Sequence, residues 1–241
     1  MKDLEQIIKG RKTLCFFDLE ATQITHEIIE IGAYKVTINP DLSIKKVGKP
    51  FREYVKAKHN VGKIVTELTG ITDQKIQKEG VTFRQMQKDF IHYLGHDWEK
   101  TLFIAYGSQD GQMFLTTAEN NMDASMEISR YISKRVLDFC RFLSHYVQSD
   151  KGNPLSLGHA CETFKIPFSG QAHDALSDAY NLMQLYSHFL SDKAIVREHY
   201  EEILMRSGSV PYPARKIIRM LHEGKTVKPS DLDKAVEEAL E

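Results

Sequence analysis

The sequence predicts an α/β fold, and three observations carry that prediction. Leu14 to Phe17 is continuously apolar and aromatic, as in a strand covered on both faces near the middle of a sheet. Glu27 to Thr37 and Pro50 to Val55 follow as further strands, which makes a meander. The later chain changes period: Ala175, Ala179, Leu182, Tyr186 and Phe189 recur at helical spacing.

The first strand runs out of apolar residues and ends in acid, as Phe16-Phe17-Asp18-Leu19-Glu20-Ala21-Thr22. Side chains alternate faces along a strand, so Phe16, Asp18 and Glu20 project to one side, with the acids about 7 Å apart. At an effective dielectric of about 20, like charges some 4 Å apart repel by about 4 kcal/mol, so such a pair calls for protons or a hard cation such as magnesium. Alone, Asp-x-Glu is more often a solvated strand end than a site, and the rest of the chain must supply partners.

A short connection from Gln23 to His26 allows the second strand to pair antiparallel with the first. Glu30 interrupts its apolar run and reads as a structural carboxylate before a catalytic one. Asn39-Pro40-Asp41 is a turn, and Pro50 to Val55 completes the meander. Leu68-Thr69-Gly70-Ile71-Thr72 breaks the pattern, and Phe83, Met86, Phe90, Ile91 and Leu94 then mark a helix with a core-facing stripe. Thr101 to Tyr106 is another buried strand, and Gly107-Ser108-Gln109-Asp110 leads out of it into a helix. A second carboxylate thus sits just beyond a second central strand.

Between Ile132 and Asp138 periodicity does not separate strand from helix, and from Val136 the spacing through Cys140, Leu143 and Val147 favours helix. A short helix through Leu157 and Cys161 precedes the last long one, from near His173 to about Leu190. On that helix Asp178 lies about 60° from the centre of the apolar stripe and Asp174 about 100° from it, so Asp178 leans towards the protein and Asp174 serves the helix N-terminus. Lys216 to His222 and Ser230 to Leu240 read as short amphipathic helices, with Ser230 as N-cap.

With 241 residues, 41% hydrophobic and 27% charged, the composition is that of an ordinary globular chain. The expected division is a polar N-terminal leader over 1–11, a domain over 12–191 and a helical C-terminal extension over 192–241. The net charge of −1 announces no global polyanion binder, so attraction to phosphates must come from local patches. In one such patch Lys45, Lys46, Lys49, Arg52, Lys56, Lys58 and Lys63 face only Glu53; a lysine-guarded edge strand and a phosphate-tracking surface account for it equally. Cys15, Cys140 and Cys161 lack zinc-like spacing and read as core hydrophobes in a reducing compartment. Met1 to Lys12 has no apolar signal-peptide core, and no run approaches the roughly 18 apolar residues of a membrane span. The expected location is cytoplasmic, with no membrane contact.

Collected in order, the acids at element ends are Asp18, Glu20, Asp110 and Asp178, with His173 close before the last. Each alone has a bland explanation: Asp110 can simply cap a helix, and His173 can be a surface residue. One sheet would gather all five. Without cations the acids repel; with two magnesium or manganese ions about 3.5–4 Å apart they become a clamp for in-line displacement at phosphorus. An imidazole, with an unperturbed pKa of about 6.5, can take the proton of the attacking water near neutral pH.

FFDLEAT, EIIEIGA, LTGIT, YGSQD and HDALSDA, in this order and with these gaps, resemble the DEDDh 3′–5′ exonuclease superfamily, which includes RNase T, oligoribonuclease and proofreading subunits. The resemblance covers roughly Lys12 to Leu190. It implies an RNase H-like fold, a mixed five-stranded sheet flanked by helices. It also implies that Asp18, Glu20, Asp110 and Asp178 are metal ligands, that His173 is the general base, that Asp174 is not a ligand, and that Ala21 and Thr22 bind the terminal nucleotide. The motifs are similar to the branch that trims histone mRNA ends and small RNAs and to KapD-like proteins. That branch often has Trp-Gly-x-Trp-Asp where this chain has Tyr106-Gly107-Ser108-Gln109-Asp110. The expected activity is metal-dependent release of nucleoside 5′-monophosphates from 3′ ends of single-stranded nucleic acid, RNA favoured over DNA. A DNA-proofreading exonuclease and a non-cleaving end-binding module are the rivals.

Overall fold

In this computed structural model residues 2–240 are described. Helix α1 (Lys2–Ile8) comes first, followed by the strands β1 (Thr13–Ala21), β2 (Ile28–Ile38) and β3 (Ile44–Tyr54). Helices α2 (Lys63–Thr69), α3 (Asp73–Glu79) and α4 (Phe83–Leu94) lead to β4 (Leu102–Ala105). Then come α5 (Asp110–Asn120), α6 (Met126–Ser133), β5 (Val136–Asp138), α7 (Phe139–Leu143), α8 (Leu157–Thr163) and the long α9 (Ala175–Ser191). The C-terminal stretch holds α10 (Lys193–Arg206), α11 (Tyr212–His222) and α12 (Pro229–Leu240).

The sheet order is β3-β2-β1-β4-β5, with β1–β2 and β2–β3 antiparallel and β1–β4 and β4–β5 parallel. The expected mixed five-stranded sheet is therefore present, with β1 in its middle. Alternation along β1 divides the core. Cys15, Phe17 and Leu19 face a layer built with Phe83, Phe90 and Phe114 of α4 and α5. Phe16 faces the other way, its ring 5.1 Å from that of Tyr186 on α9. A fully buried Phe contributes about 1.5–3 kcal/mol, so these aromatic layers dominate the stability of the sheet. Thr82 starts α4 by accepting the Gln85 amide at 3.2 Å.

Several boundaries differ from the sequence expectation. β3 begins at Ile44, not Pro50, and Pro50 is tolerated because β3 is an edge strand. Lys45, Lys46 and Lys49 are exposed along that edge, as in a lysine-guarded strand. Val136–Asp138 is a strand where the spacing favoured helix, because parallel pairing with Phe103–Ala105 overrides local periodicity there. The expected polar leader contains α1, which buries Leu4 and Ile8. Met1 and Glu241 lie outside the described residues. α12 begins at Pro229, one residue before the expected Ser230 cap.

The chain forms two compact units: 1–142 with 156–191, and 143–155 with 192–241. The segment 143–155 thus groups with the C-terminal stretch, within which Tyr146 packs on Tyr200 and Arg206 donates to the Asp150 carbonyl at 2.7 Å. Among the described residues no helix is long and apolar enough to cross a membrane.

Candidate active site

Two successive rungs on one face of the sheet, with the Leu19–Ile31–Glu53 rung between them facing the other way, build the floor of the site. In one, Asp18 of β1, Gly32 of β2 and Arg52 of β3 stand side by side; in the next, Glu20, Glu30 and Tyr54 do. Gly32 is what lets a helix settle on this floor. A Cβ there would lie 2.2 Å from the Leu176 nitrogen and 2.3 Å from the Ala175 carbonyl carbon, so the first turn of α9 rests directly on the strand backbone.

That contact delivers the residues of the HDALSDA segment. Asp174 starts the helix, its Oδ1 accepting from the Ser177 amide at 2.9 Å and from Ser177 Oγ at 2.8 Å. Asp178, one turn on, is turned inwards and accepts the His173 amide at 3.0 Å. The helix therefore uses its two acids as the wheel argument expects. It begins at Ala175, so His173 lies in the preceding loop, with φ 63° and an exposed side chain. Ligand atoms of Glu20, His173 and Asp178 all lie within 4.8 Å of one another.

Asp110 arrives from the opposite side of β1. It opens α5 just beyond β4, and it is only 7% exposed. Asp138, the last residue of β5, stands beside the end of β4 opposite Ala105 and adds to the negative potential around Asp110.

Asp18, Glu20, Asp110 and Asp178 are all pushed up. Burial raises Asp18 well above the usual carboxylate range, reinforced by Asp110, Asp178, Glu20 and Glu30. Burial, then Glu30, Asp178, Asp174 and Asp110, push Glu20 up to about 8. Asp110 is pushed up to about 7, by burial first and then by Asp138, against the pull of its own amide. Burial also raises Asp178, opposed by the His173 amide and ring. The cluster thus demands protons or a cation, and a donor set of carboxylate oxygens, with one imidazole nitrogen at hand, suits a hard divalent ion.

Arg52 divides this acid-rich floor into paired and open carboxyls. Its Nε stands 2.6 Å from Glu30 Oε1, and its Nη2 donates to Asp174 Oδ2 at 2.6 Å and to Tyr54 Oη at 2.8 Å. Glu30, 1% exposed, and Asp174 are therefore occupied by a fixed cation, whereas Glu20, beside Glu30, is left open. Sequence reading missed this role of Arg52, because it lay within a cationic run read only as a patch. Its signal was register: three strands in a meander place Arg52 and Glu30 on neighbouring rungs of one face.

Ala21 and Thr22 follow directly on Glu20. Both are buried, at 9% and 1% exposure. Thr22 Oγ1 accepts the Glu27 amide at 2.9 Å and meets Thr25 Oγ1 at 2.8 Å, while its own amide donates to the Glu27 carbonyl at 2.8 Å. The Thr22 side chain thus braces the turn out of β1. Glu27 in turn accepts from the Lys58 amide and pairs with His59 Nδ1 at 2.5 Å.

Solved structures share this fold at low identity. The nuclease domain of 3'hExo, a DEDDh family member bound to rAMP, aligns with TM-score 0.62 at 21% identity over 76% of this chain and 94% of that one. A full-length 3'-exonuclease aligns with TM-score 0.61 at 21% identity, over 76% of this chain and 62% of that one. E. coli Exonuclease I in complex with a dT13 oligonucleotide gives TM-score 0.58 at 18%, over 81% and 44%. The chain therefore spans less than two thirds of the length of the latter two. No curated protein sequence matches it. The profile of the family described as Exonuclease, RNase T, matches residues 15–186, from β1 into α9. The chain belongs to the exonuclease family.

Proposed function

We propose that the protein is a metal-dependent 3′–5′ exonuclease acting on single-stranded nucleic acid, RNA in preference to DNA, and releasing nucleoside 5′-monophosphates. The observation that carries this is the meeting of Glu20, His173 and Asp178 within 4.8 Å, beside Asp18 and Asp110, all four carboxyls being pushed up. Asp18, Glu20, Asp110 and Asp178 hold two magnesium or manganese ions in this reading. Bound ions supply Lewis-acid stabilisation of charge on the scissile phosphate and lower the pKa of water.

The chain's own residues do the rest. His173, exposed at the mouth of the site, takes the proton of the water that attacks the terminal phosphodiester. The bond from phosphorus to the 3′-oxygen breaks, leaving a shortened strand with a 3′-hydroxyl. Arg52 keeps Glu30 and Asp174 from competing for the cations. Ala21 and Thr22 form the support beneath the terminal nucleotide. The RNA preference is supported by the FDLEAT and LTGIT resemblance and by a neighbouring structure described as 3'-end specific recognition of a histone mRNA stem-loop by 3'-exonuclease. Exonuclease I with dT13 is the reason to test DNA beside it. The free thiols of Cys15 and Cys161, both buried, fit a cytoplasmic location.

The test is digestion of matched 5′-labelled single-stranded RNA and DNA with magnesium, manganese or chelator, beside Asp18→Ala. A metal-dependent ladder shortening from the 3′ end, absent in the variant, is the expected result, with RNA cut faster. Binding of ends without turnover under any metal would replace the reading with the end-binding module.

A further inference from the structure

The C-terminal unit carries a cationic pocket that the exonuclease site does not use. α11 repeats Tyr212, Arg215, Lys216 and Arg219 at helical spacing, so these side chains share one face, while Ile217, Ile218 and Leu221 lie on the opposite one. The polar face lines a pocket of about 320 Å³, completed by Met220, Glu223 and Lys225. From Arg206 to Lys228 there are six cations, Arg206, Arg215, Lys216, Arg219, Lys225 and Lys228, against Glu223 alone.

Ion pairing decides which of these charges are open. Lys216 pairs with Glu238, which also accepts from Tyr212 Oη at 3.0 Å, and Lys225 pairs with Glu223 at 2.5 Å. Arg215 and Arg219 have no ion pair among the described residues. Arg215 Nε is buried and has no hydrogen-bond partner, a donor with nothing in the folded unit to satisfy it. Two guanidinium groups one turn apart, with a Tyr212 ring 46% exposed beside them, form a fork for phosphate oxygens next to a stacking surface.

We propose that this face of α11 binds the sugar-phosphate backbone of single-stranded nucleic acid, Arg215 and Arg219 taking phosphates and Tyr212 a base. The identity of the polyanion rests on the exonuclease reading. A second foothold on the same chain raises the effective concentration of the strand at its catalytic domain. It acts on long strands and not on a dinucleotide, whose single phosphodiester is taken up at the catalytic site and leaves no second phosphate for α11.

The test compares the full-length protein with Arg215→Gln/Arg219→Gln and Arg215→Lys/Arg219→Lys, after confirming unchanged unfolding midpoints. Binding of a long labelled oligoribonucleotide is measured in chelator over a salt series, and hydrolysis of a dinucleotide in magnesium. In the glutamine variant affinity falls about tenfold and the salt slope by about 1.4, the value for two lost single-strand phosphate contacts; the lysine variant keeps the slope. Dinucleotide hydrolysis is unchanged in both. Equal affinity and slope in parent and glutamine variant overturn the proposal. So does full competition by a nucleoside monophosphate or inorganic phosphate at matched ionic strength, which would make the pocket a product or phosphate site, or by poly-glutamate, which would assign it to an acidic protein. A parent that gives no metal-dependent 3′ ladder on the long oligoribonucleotide would sink the exonuclease reading instead, and the binding arm would still report on α11.

Discussion

Gly32 lies directly across the β1–β2 ladder from Asp18, and the missing side chain of the one is what brings the other within reach of α9. Any Cβ at position 32 meets the backbone of Ala175 and Leu176, and backbone cannot swing aside as a flexible side chain can. Gly32→Ala is therefore expected to displace the start of α9, carrying Asp178 and His173 out of register with Asp18. Activity should fall by about 100-fold or more, as for a misplacement of about 1 Å in a catalytic constellation. Gly158→Ala is the control: it sits in α8 with nothing within 4 Å of a new Cβ and should be neutral or stabilising by about 0.4–1 kcal/mol. Rates and thermal midpoints of the two variants check this.

Removing an acid should separate activity from stability. Asp18→Asn or Asp178→Asn deletes one member of a like-charge cluster, so the metal-free variant should melt no lower than the parent, with a gain of up to about 1 kcal/mol. Activity should fall by about 1,000-fold or more, which corresponds to about 4 kcal/mol of lost transition-state stabilisation. Magnesium should raise the melting midpoint of the parent and much less that of the variants, by mass action on the folded state. Melting curves in chelator and in magnesium read both effects.

The raised acids fix a pH dependence. Glu20 is pushed up to about 8 and Asp110 to about 7, both above their unfolded values, so between about pH 4.5 and 8 the folded chain binds more protons than the unfolded one. The sign follows directly: these groups favour the folded state most at low pH, and that contribution is lost as pH rises through 7 to 8. In chelator, the difference in midpoint between parent and Glu20→Gln should shift against the parent from pH 5 to pH 8. Metal affinity should run the other way, rising with pH as the ions displace protons. Isothermal titration in two buffers of different ionisation enthalpy would count the protons released; release of none would refute the protonated resting site.

Arg52 should matter to folding as well as to activity. Arg52→Met strands Glu30, which is 1% exposed, and Asp174 without their cation. The loss of a fully buried partner costs about 3–5 kcal/mol, and because Arg52 is 36% exposed we expect about 1–3 kcal/mol here. Adding Glu30→Gln should recover much of that loss. Denaturant melts of the single and double variants test this coupling.

His173→Ala should lower kcat with KM little changed, since the ring acts on a proton and not on substrate binding. A pH–rate profile that keeps the parent's shape in this variant would remove His173 from the base role.

Much of this was legible because the chemistry is written in short local patterns. Asp18 and Glu20 end an apolar strand, and period-2 alternation alone puts them on one face. The helical wheel separated Asp178, which turns in, from Asp174, which caps. Ser177 accounts for the second of these through contacts within one turn. Local patterns failed where partners come from afar. Val136–Asp138 is a strand because β4 offers it a parallel edge, and α1 is helical with Leu4 and Ile8 buried although its composition reads as polar.

The sequence by itself determined which residues carry acid and imidazole, the strand and the two helices that bear the acids, and the order of the motifs. Only the tertiary structure decided which acids stay open. Glu20 and Glu30 are adjacent in the ladder and alike in chemistry, yet Arg52, from a third strand, pairs with Glu30 and leaves Glu20 facing Asp178 and His173. The physical reason is that a charge's role depends on what lies within a few ångströms of it, and those neighbours are set by the register of three strands and by one glycine under α9.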